Sequence, residues 1–152
     1  GELVQQHRDE ILSDIVKNVD VGFNMTPERL LDAERVRWTL ARHMAEFFET
    51  HEYLICPAAS IAPFESEKPF ITEIDGTPCK TYIDWFAITF ALTMTGCPVV
   101  SLPCGFTDEG LPMGLQILAR PRREDELLSF AALLEEHFMV RDQLPIDPRN
   151  AS

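Results

Sequence analysis

Apolar positions in this chain change rhythm as it proceeds, from helical spacing to nearly continuous runs, and the changes mark its elements. Leu3, Val4, Ile11, Leu12, Ile15 and Val16 recur at helical spacing, which predicts one amphipathic helix over residues 1–18, ending near Asn18. Gly22 and Asn24 then mark a break. Thr26-Pro27-Glu28 supplies a hydroxyl N-cap, a proline whose missing N–H is harmless there, and an acid at the positive end of the helix dipole. In the helix that follows to Thr50, Ala33, Val36, Leu40, Met44 and Phe47 form one stripe. Trp38, Ala41, Ala45 and Phe48 form a second beside it. So wide an apolar arc calls for two packing partners.

Tyr53-Leu54-Ile55-Cys56 predicts a short strand closed by Pro57, followed by a proline-punctuated loop, PAASIAPFESEKPF. Asp75-Gly76 suits a tight hairpin turn between residues 71–74 and 77–82, and Pro78 keeps that hairpin at an edge or surface. Residues 82–95 (YIDWFAITFALTMT) are rich in β-branched and aromatic side chains, as in a strand, but their length and the following Gly96 favour a buried helix. Val99–Phe106 and Met113–Ala119 read as strands joined by a loop with Gly110 and Pro112. Their continuous apolar character implies a sheet covered on both faces. Glu124, Asp125 and Glu126 crowd the positive end of a last helix lined by Leu127, Ala131, Leu134 and Phe138. Residues 139–152 form a polar, proline-bearing tail. The order predicts an α/β fold in one unit, with helices covering a sheet.

Composition narrows the partners. A chain of 152 residues with 45% hydrophobic content can bury a core. Its net charge of -12 repels phosphate backbones and anionic lipid, so no nucleic acid or membrane partner is expected. No apolar run approaches the ~18 residues of a membrane helix. GELVQQHRDEIL lacks the basic start and apolar core of a signal peptide, so a cytoplasmic location is expected. Cys56, Cys79, Cys97 and Cys104 make no CxxC pair and are expected to be reduced thiols packed in the interior. His7, His43, His51 and His137 form no HxxxH or HExxH pair; neither a metal site nor a cofactor is expected. Cys104, in a Pro-Cys-Gly turn, could serve as a nucleophile with a histidine base, but a packed thiol is the simpler reading. Asp84 reads as a cap rather than a base.

The segment TMTGCPVVSLPCGFTDEGLPMGLQILARP, residues 93–121, resembles the C-terminal part of amidase-signature hydrolases, where the pattern is close to LTGxPAxSxPCGFxxDGLPxGLQxxGRP. The helix from Pro27 followed by HEYLICPAAS is similar to the family's long helix and YDVLLTPT strand. PFITEIDGTPCKTYIDWFAIT resembles the EIDG…TYxDW segment of one amidase branch. The likeness covers roughly residues 20–138. It implies a partial domain, the C-terminal part of a large fold in which a mixed twisted sheet lies between helices.

The resemblance also implies chemistry. Such enzymes hydrolyse a carboxylic amide through an acyl-enzyme: one serine attacks, a second relays the proton, a lysine is the base, and backbone amides hold the oxyanion. Ser13, Ser60, Ser66, Ser101, Ser129 and Ser152 stand next to neither a glycine nor another serine, and Lys17, Lys68 and Lys80 lie in unrelated contexts. No catalytic residue carries over, so the chain alone is expected to be inactive, with an upstream segment of the same amidase as its partner. Phe86 stands where glutamine-using relatives place an acid, and no arginine lies between Arg8 and Arg29, where they carry a substrate-gripping one. A neutral or aromatic linear amide is therefore expected, with Trp85, Phe86 and Thr89 as pocket residues; they read equally as the core of a buried helix. Uncovered apolar faces on the Pro27 helix and the Val99–Ala119 strands further predict contact with that upstream segment or self-association. A stand-alone, non-catalytic interaction module is the competing expectation.

Overall fold

The computed structural model describes residues 2–68 and 70–139. Its contacts group the chain into two compact units, one up to Leu40 and one from Ala41 onward. The tail expected at 139–152 lies outside the described residues from residue 140 on.

The first unit contains α1 (Glu2–Gln6), a 3-10 turn (Arg8–Glu10), α2 (Ser13–Phe23) and the start of α3 (Pro27–Phe47). The single helix expected over residues 1–18 is therefore broken. Residues 5–10 are all polar and exposed, so they offer no apolar face to hold a helix that is too short to persist unaided. Ile11 and Leu12 are extended there, and a new helix opens at Ser13 with Asp14 in its first turn. Gly22 lies inside α2; the break falls at Asn24, whose carboxamide donates to the Asp20 carbonyl at 2.8 Å. Arg8 Nη1 donates to Asp20 Oδ1 at 3.0 Å, and that hydrogen bond holds the exposed Asp20 carboxyl below its ordinary range.

Helix α3 starts as its sequence requires, with Thr26 Oγ1 accepting the Arg29 N–H at 3.3 Å. Its solvent side carries Asp32–Arg35 and Glu34–Arg37 pairs. Leu30 and Leu31 are exposed, as are Val36 at 68% and Trp38 at 66%. Both apolar stripes are thus open along this part of the helix.

The second unit holds β1 (Tyr53–Pro57), β2 (Glu73–Ile74), β3 (Thr77–Pro78), a 3-10 turn (Asp84–Phe86), α4 (Ala87–Thr93), β4 (Val99–Phe106), β5 (Pro112–Ala119) and α5 (Glu124–Phe138). The main sheet has the order β1-β5-β4 with both pairings antiparallel. The most apolar segment takes the centre. Leu102, Ile117 and Ala119 face Leu127 and Ala131 of α5 in the core, with Tyr53, Val100, Leu115, Phe130 and Leu134 packed around them. Ile117 and Leu118 are consecutive and both fully buried, so β5 is covered on both faces. That expectation does not extend to the flanking strands, where Ile55, Val99 and Phe106 are exposed. The α/β class is as expected, with helices around an antiparallel sheet.

Three further expectations need correction. Residues 82–95 form a 3-10 turn and a seven-residue helix without a fully buried residue, rather than one long buried helix. The Asp84 carboxylate accepts the N–H groups of Lys80 (2.6 Å) and Thr81 (3.0 Å) and the Thr81 hydroxyl (2.6 Å). That turn delays helical register until Ala87. The cysteines are free, but all four are half-buried rather than interior. The β2–β3 ladder is also shorter than its flanking sequence suggests, two residues on each strand, with the Cys79 N–H donating to the Thr72 carbonyl at 2.8 Å beyond it. Its turn has Asp75 at φ 46° and Gly76 at φ 73°, the pair of left-handed residues a tight hairpin needs.

Among the described residues no helix is long and apolar enough to cross a membrane.

Candidate functional site: an apolar cavity beside Trp85

Pro57 ends β1, and Ala58 continues its pairing with β5 before the loop departs. The Ala58 N–H donates to the Gly114 carbonyl at 3.0 Å, and the Thr89 hydroxyl donates to the Ala58 carbonyl at 2.9 Å. The loop that leaves this anchor walls a cavity of about 350 Å³. Ala58, Ile61 and Phe64 form one side, Trp85 another, and Met113 and Gly114 of β5 the floor. None of the described lining residues is titratable.

Aromatic rings build the wall in perpendicular steps. Phe64 meets Trp85 with centroids 5.6 Å apart at 89°, Trp85 meets Phe86 at 5.1 Å and 78°, and Phe86 meets Phe90 at 5.9 Å and 81°. Each contact presents a ring edge to a ring face, the preferred arrangement of the two quadrupoles. On the floor, the β4–β5 register shifts between Pro103 and Gly105, leaving Cys104 as the extra residue of a bulge. Gly105, at φ 145°, takes up the bend. An ideal Cβ on Gly114 would lie 3.3 Å from both Ala58 Cβ and the Leu102 carbonyl oxygen, so glycine is what lets loop and strand approach.

Of the three residues expected from the sequence, Trp85 lines the cavity. Phe86 supports it from behind, and Thr89 is on the next turn, tying down the loop. Cys104 is half-buried in the bulge. Asp84, expected as a cap of its helix, instead closes the turn before it, and the hydroxyl and N–H of Thr81, then the Lys80 N–H, hold its carboxyl below the usual range. Burial pushes the Cys56 thiol up, against a smaller opposite pull from Gln116, which makes it a poor nucleophile. A second concavity lies along the hairpin, lined by Thr77, Cys79, Lys80 and Asp84, but its one carboxylate is already committed to the turn. No group of three or more His, Cys, Asp or Glu among the described residues could hold a metal.

Sequence reasoning missed the wall contributed by residues 58–64, because proline punctuation reads as a connector. The available signal was composition: AASIAPF is too apolar for a loop that faces only water. Chemically, the arrangement can hold a flat, uncharged group against apolar side chains.

The Amidase family model matches residues 1–128 of this chain. The glutamyl-tRNA(Gln) amidotransferase of Acaryochloris marina (strain MBIC 11017) has an A subunit that is 33% identical over 106 residues, 70% of this chain and 21% of that protein. Its counterpart in Granulibacter bethesdensis (strain ATCC BAA-1260 / CGDNIH1) is 33% identical over 123 residues, 80% of this chain and 23% of that protein. Among solved structures, a bacterial aryl acylamidase of the amidase signature family superposes with a TM-score of 0.77 at 21% identity, covering 92% of this chain and 30% of that one. The 6-aminohexanoate cyclic dimer hydrolase gives a TM-score of 0.71 at 25% identity over 86% of this chain and 28% of that one. The chain thus spans about a fifth of the length of the curated relatives it matches.

Proposed function

Because this chain belongs to the amidase family, we propose that it is the C-terminal supporting part of an amidase that hydrolyses a linear carboxylic amide to the acid and ammonia or an amine. The observation that carries this reading is the family match over residues 1–128 in a chain whose matched part covers about a fifth of its relatives' length. Serine attack, proton relay and the lysine base come from polypeptide upstream of it, and the acyl-enzyme forms there. Here the residues around Trp85 supply an apolar wall that orients the substrate and excludes water from the reacting bond.

A cavity without a titratable lining residue favours a neutral or aromatic amide over glutamine, whose charged ends would lose their hydration unpaired. The exposed stripes of α3 take the upstream segment as their cover; a second copy of the chain is the competing occupant. Mass spectrometry of the natural protein tests the reading. A longer polypeptide containing this sequence supports it, and a native product of these 152 residues supports a stand-alone, non-catalytic interaction module instead.

A further inference from the structure

Gln116 is the one amide side chain among the buried described residues, 5% exposed in the middle of β5. It projects from the face opposite the one that Leu115 and Ile117 turn toward α5. Its Nε2 donates to the Pro57 carbonyl at 3.0 Å and lies 3.5 Å from the Ile88 carbonyl. Those two acceptors are not equivalent in the fold. Pro57 is the last residue of β1, immediately before the loop that walls the cavity. Ile88 lies in the first turn of α4, three residues after Trp85. One carboxamide therefore bridges the roots of both walls, and only a group with two N–H donors can do so from a single position. The Thr89 to Ala58 hydrogen bond runs parallel to it, from the same helix to the next residue of the same loop.

We propose that Gln116 is a positioning residue for the cavity: its carboxamide sets the spacing between the loop at 58–64 and Trp85, with Thr89 as a second, weaker tie. A hydrophobic residue of the same length would fill β5 equally well. It would take this donor from the Pro57 carbonyl and leave the Thr89 hydroxyl to tie α4 to the strand end. This inference rests on the reading of the cavity as a ligand site, and the experiment separates the two.

The 152-residue chain is prepared with Trp38→Phe, so that Trp85, the remaining one of two tryptophans, is the only emitter at long-wavelength excitation. Gln116→Met, Thr89→Val and a control, Val100→Ala on the α5 side of the sheet, are compared with it. Each is measured for the emission maximum of Trp85, half-saturation by benzamide, and urea midpoint by circular dichroism. Gln116→Met is expected to shift Trp85 emission to the red and to raise half-saturation about five- to tenfold, the loss of one to two hydrogen bonds of positioning. Thr89→Val is expected to move both readouts in the same direction by less. Val100→Ala is expected to lower the urea midpoint and move neither.

Parental emission and half-saturation in both Gln116→Met and Thr89→Val would overturn the proposal, as would equal movement in the control. If the parent does not respond to benzamide, the ligand-site reading fails, while the emission comparison still decides whether Gln116 spaces the walls. If Gln116→Met does not fold, Thr89→Val decides by the same two readouts.

Discussion

Replacing Gly114 by alanine sets two effects of known size against each other. The backbone at Gly114 is outside the left-handed region, so alanine is conformationally allowed. It would gain about 0.4–1 kcal/mol by restricting the unfolded chain. Against that gain, the new Cβ lies 3.3 Å from Ala58 Cβ and 3.3 Å from the Leu102 carbonyl oxygen, closer than ordinary contact, and neither neighbour is free to retreat. Ala58 is hydrogen-bonded through its N–H to Gly114 and through its carbonyl to Thr89. Leu102 is a buried strand residue whose side chain belongs to the core. Overpacking of this kind costs about 1–3 kcal/mol, so the net expectation is a loss of roughly 1 kcal/mol. With a urea slope of about 2 kcal/mol/M, the midpoint falls by about 0.5 M at unchanged slope. Chemical denaturation followed by circular dichroism measures it. A variant as stable as the parent, or more so, would show that the loop at Ala58 yields freely, and the rigid anchoring of the cavity wall would have to be abandoned.

Three further predictions concern the same unit. Leu118→Ala removes a fully buried side chain from β5 and is expected to cost about 2–5 kcal/mol; a loss below about 1 kcal/mol in urea unfolding would mean that the second face of the sheet is not packed. Gly76→Ala forces a Cβ into a residue at φ 73° and is expected to cost about 1 kcal/mol, read as a lower thermal midpoint with no change in the sheet signal. The third is a pH dependence. The folded pKa of Asp84 is depressed, chiefly by the Thr81 hydroxyl and N–H. Its contribution is therefore present above the unfolded value of about 3.9 and is lost as pH falls through the folded one. The stability gap between the parent and Asp84→Asn is expected to narrow as pH falls below about 4, and a gap that stays constant would exclude the carboxylate as its source.

Long apolar runs and chemically specific stops were legible in the sequence. Thr26-Pro27-Glu28 located the start of α3, Asp75-Gly76 the hairpin turn, and the alternation of glycine and apolar residues from Val99 to Ala119 the two longest strands. What failed depended on local competition or on neighbours distant in sequence. Six polar residues after Val4 interrupt a helix whose apolar spacing looked continuous. The Asp84 side chain holds residues 80–84 in a turn through the Lys80 and Thr81 N–H groups, where the sequence suggested that a longer helix begins. Trp85 could be named because the resemblance to amidase-signature hydrolases places its segment beside the substrate. Its cavity partners could not, since Ala58, Phe64 and Gly114 meet only through the β1–β5 pairing. Gln116 was equally hidden: nothing local distinguishes a buried bridging amide from a solvated one.

On the proposed function, these residues shape a pocket whose reacting groups belong to polypeptide outside this chain. Ammonia release from simple amides tests it, first with the 152-residue chain and then with the same chain joined to the upstream segment of its natural protein. No release from the chain alone and turnover by the joined protein is the predicted result. Turnover by the isolated chain, abolished by changing one of its own side chains, would contradict it.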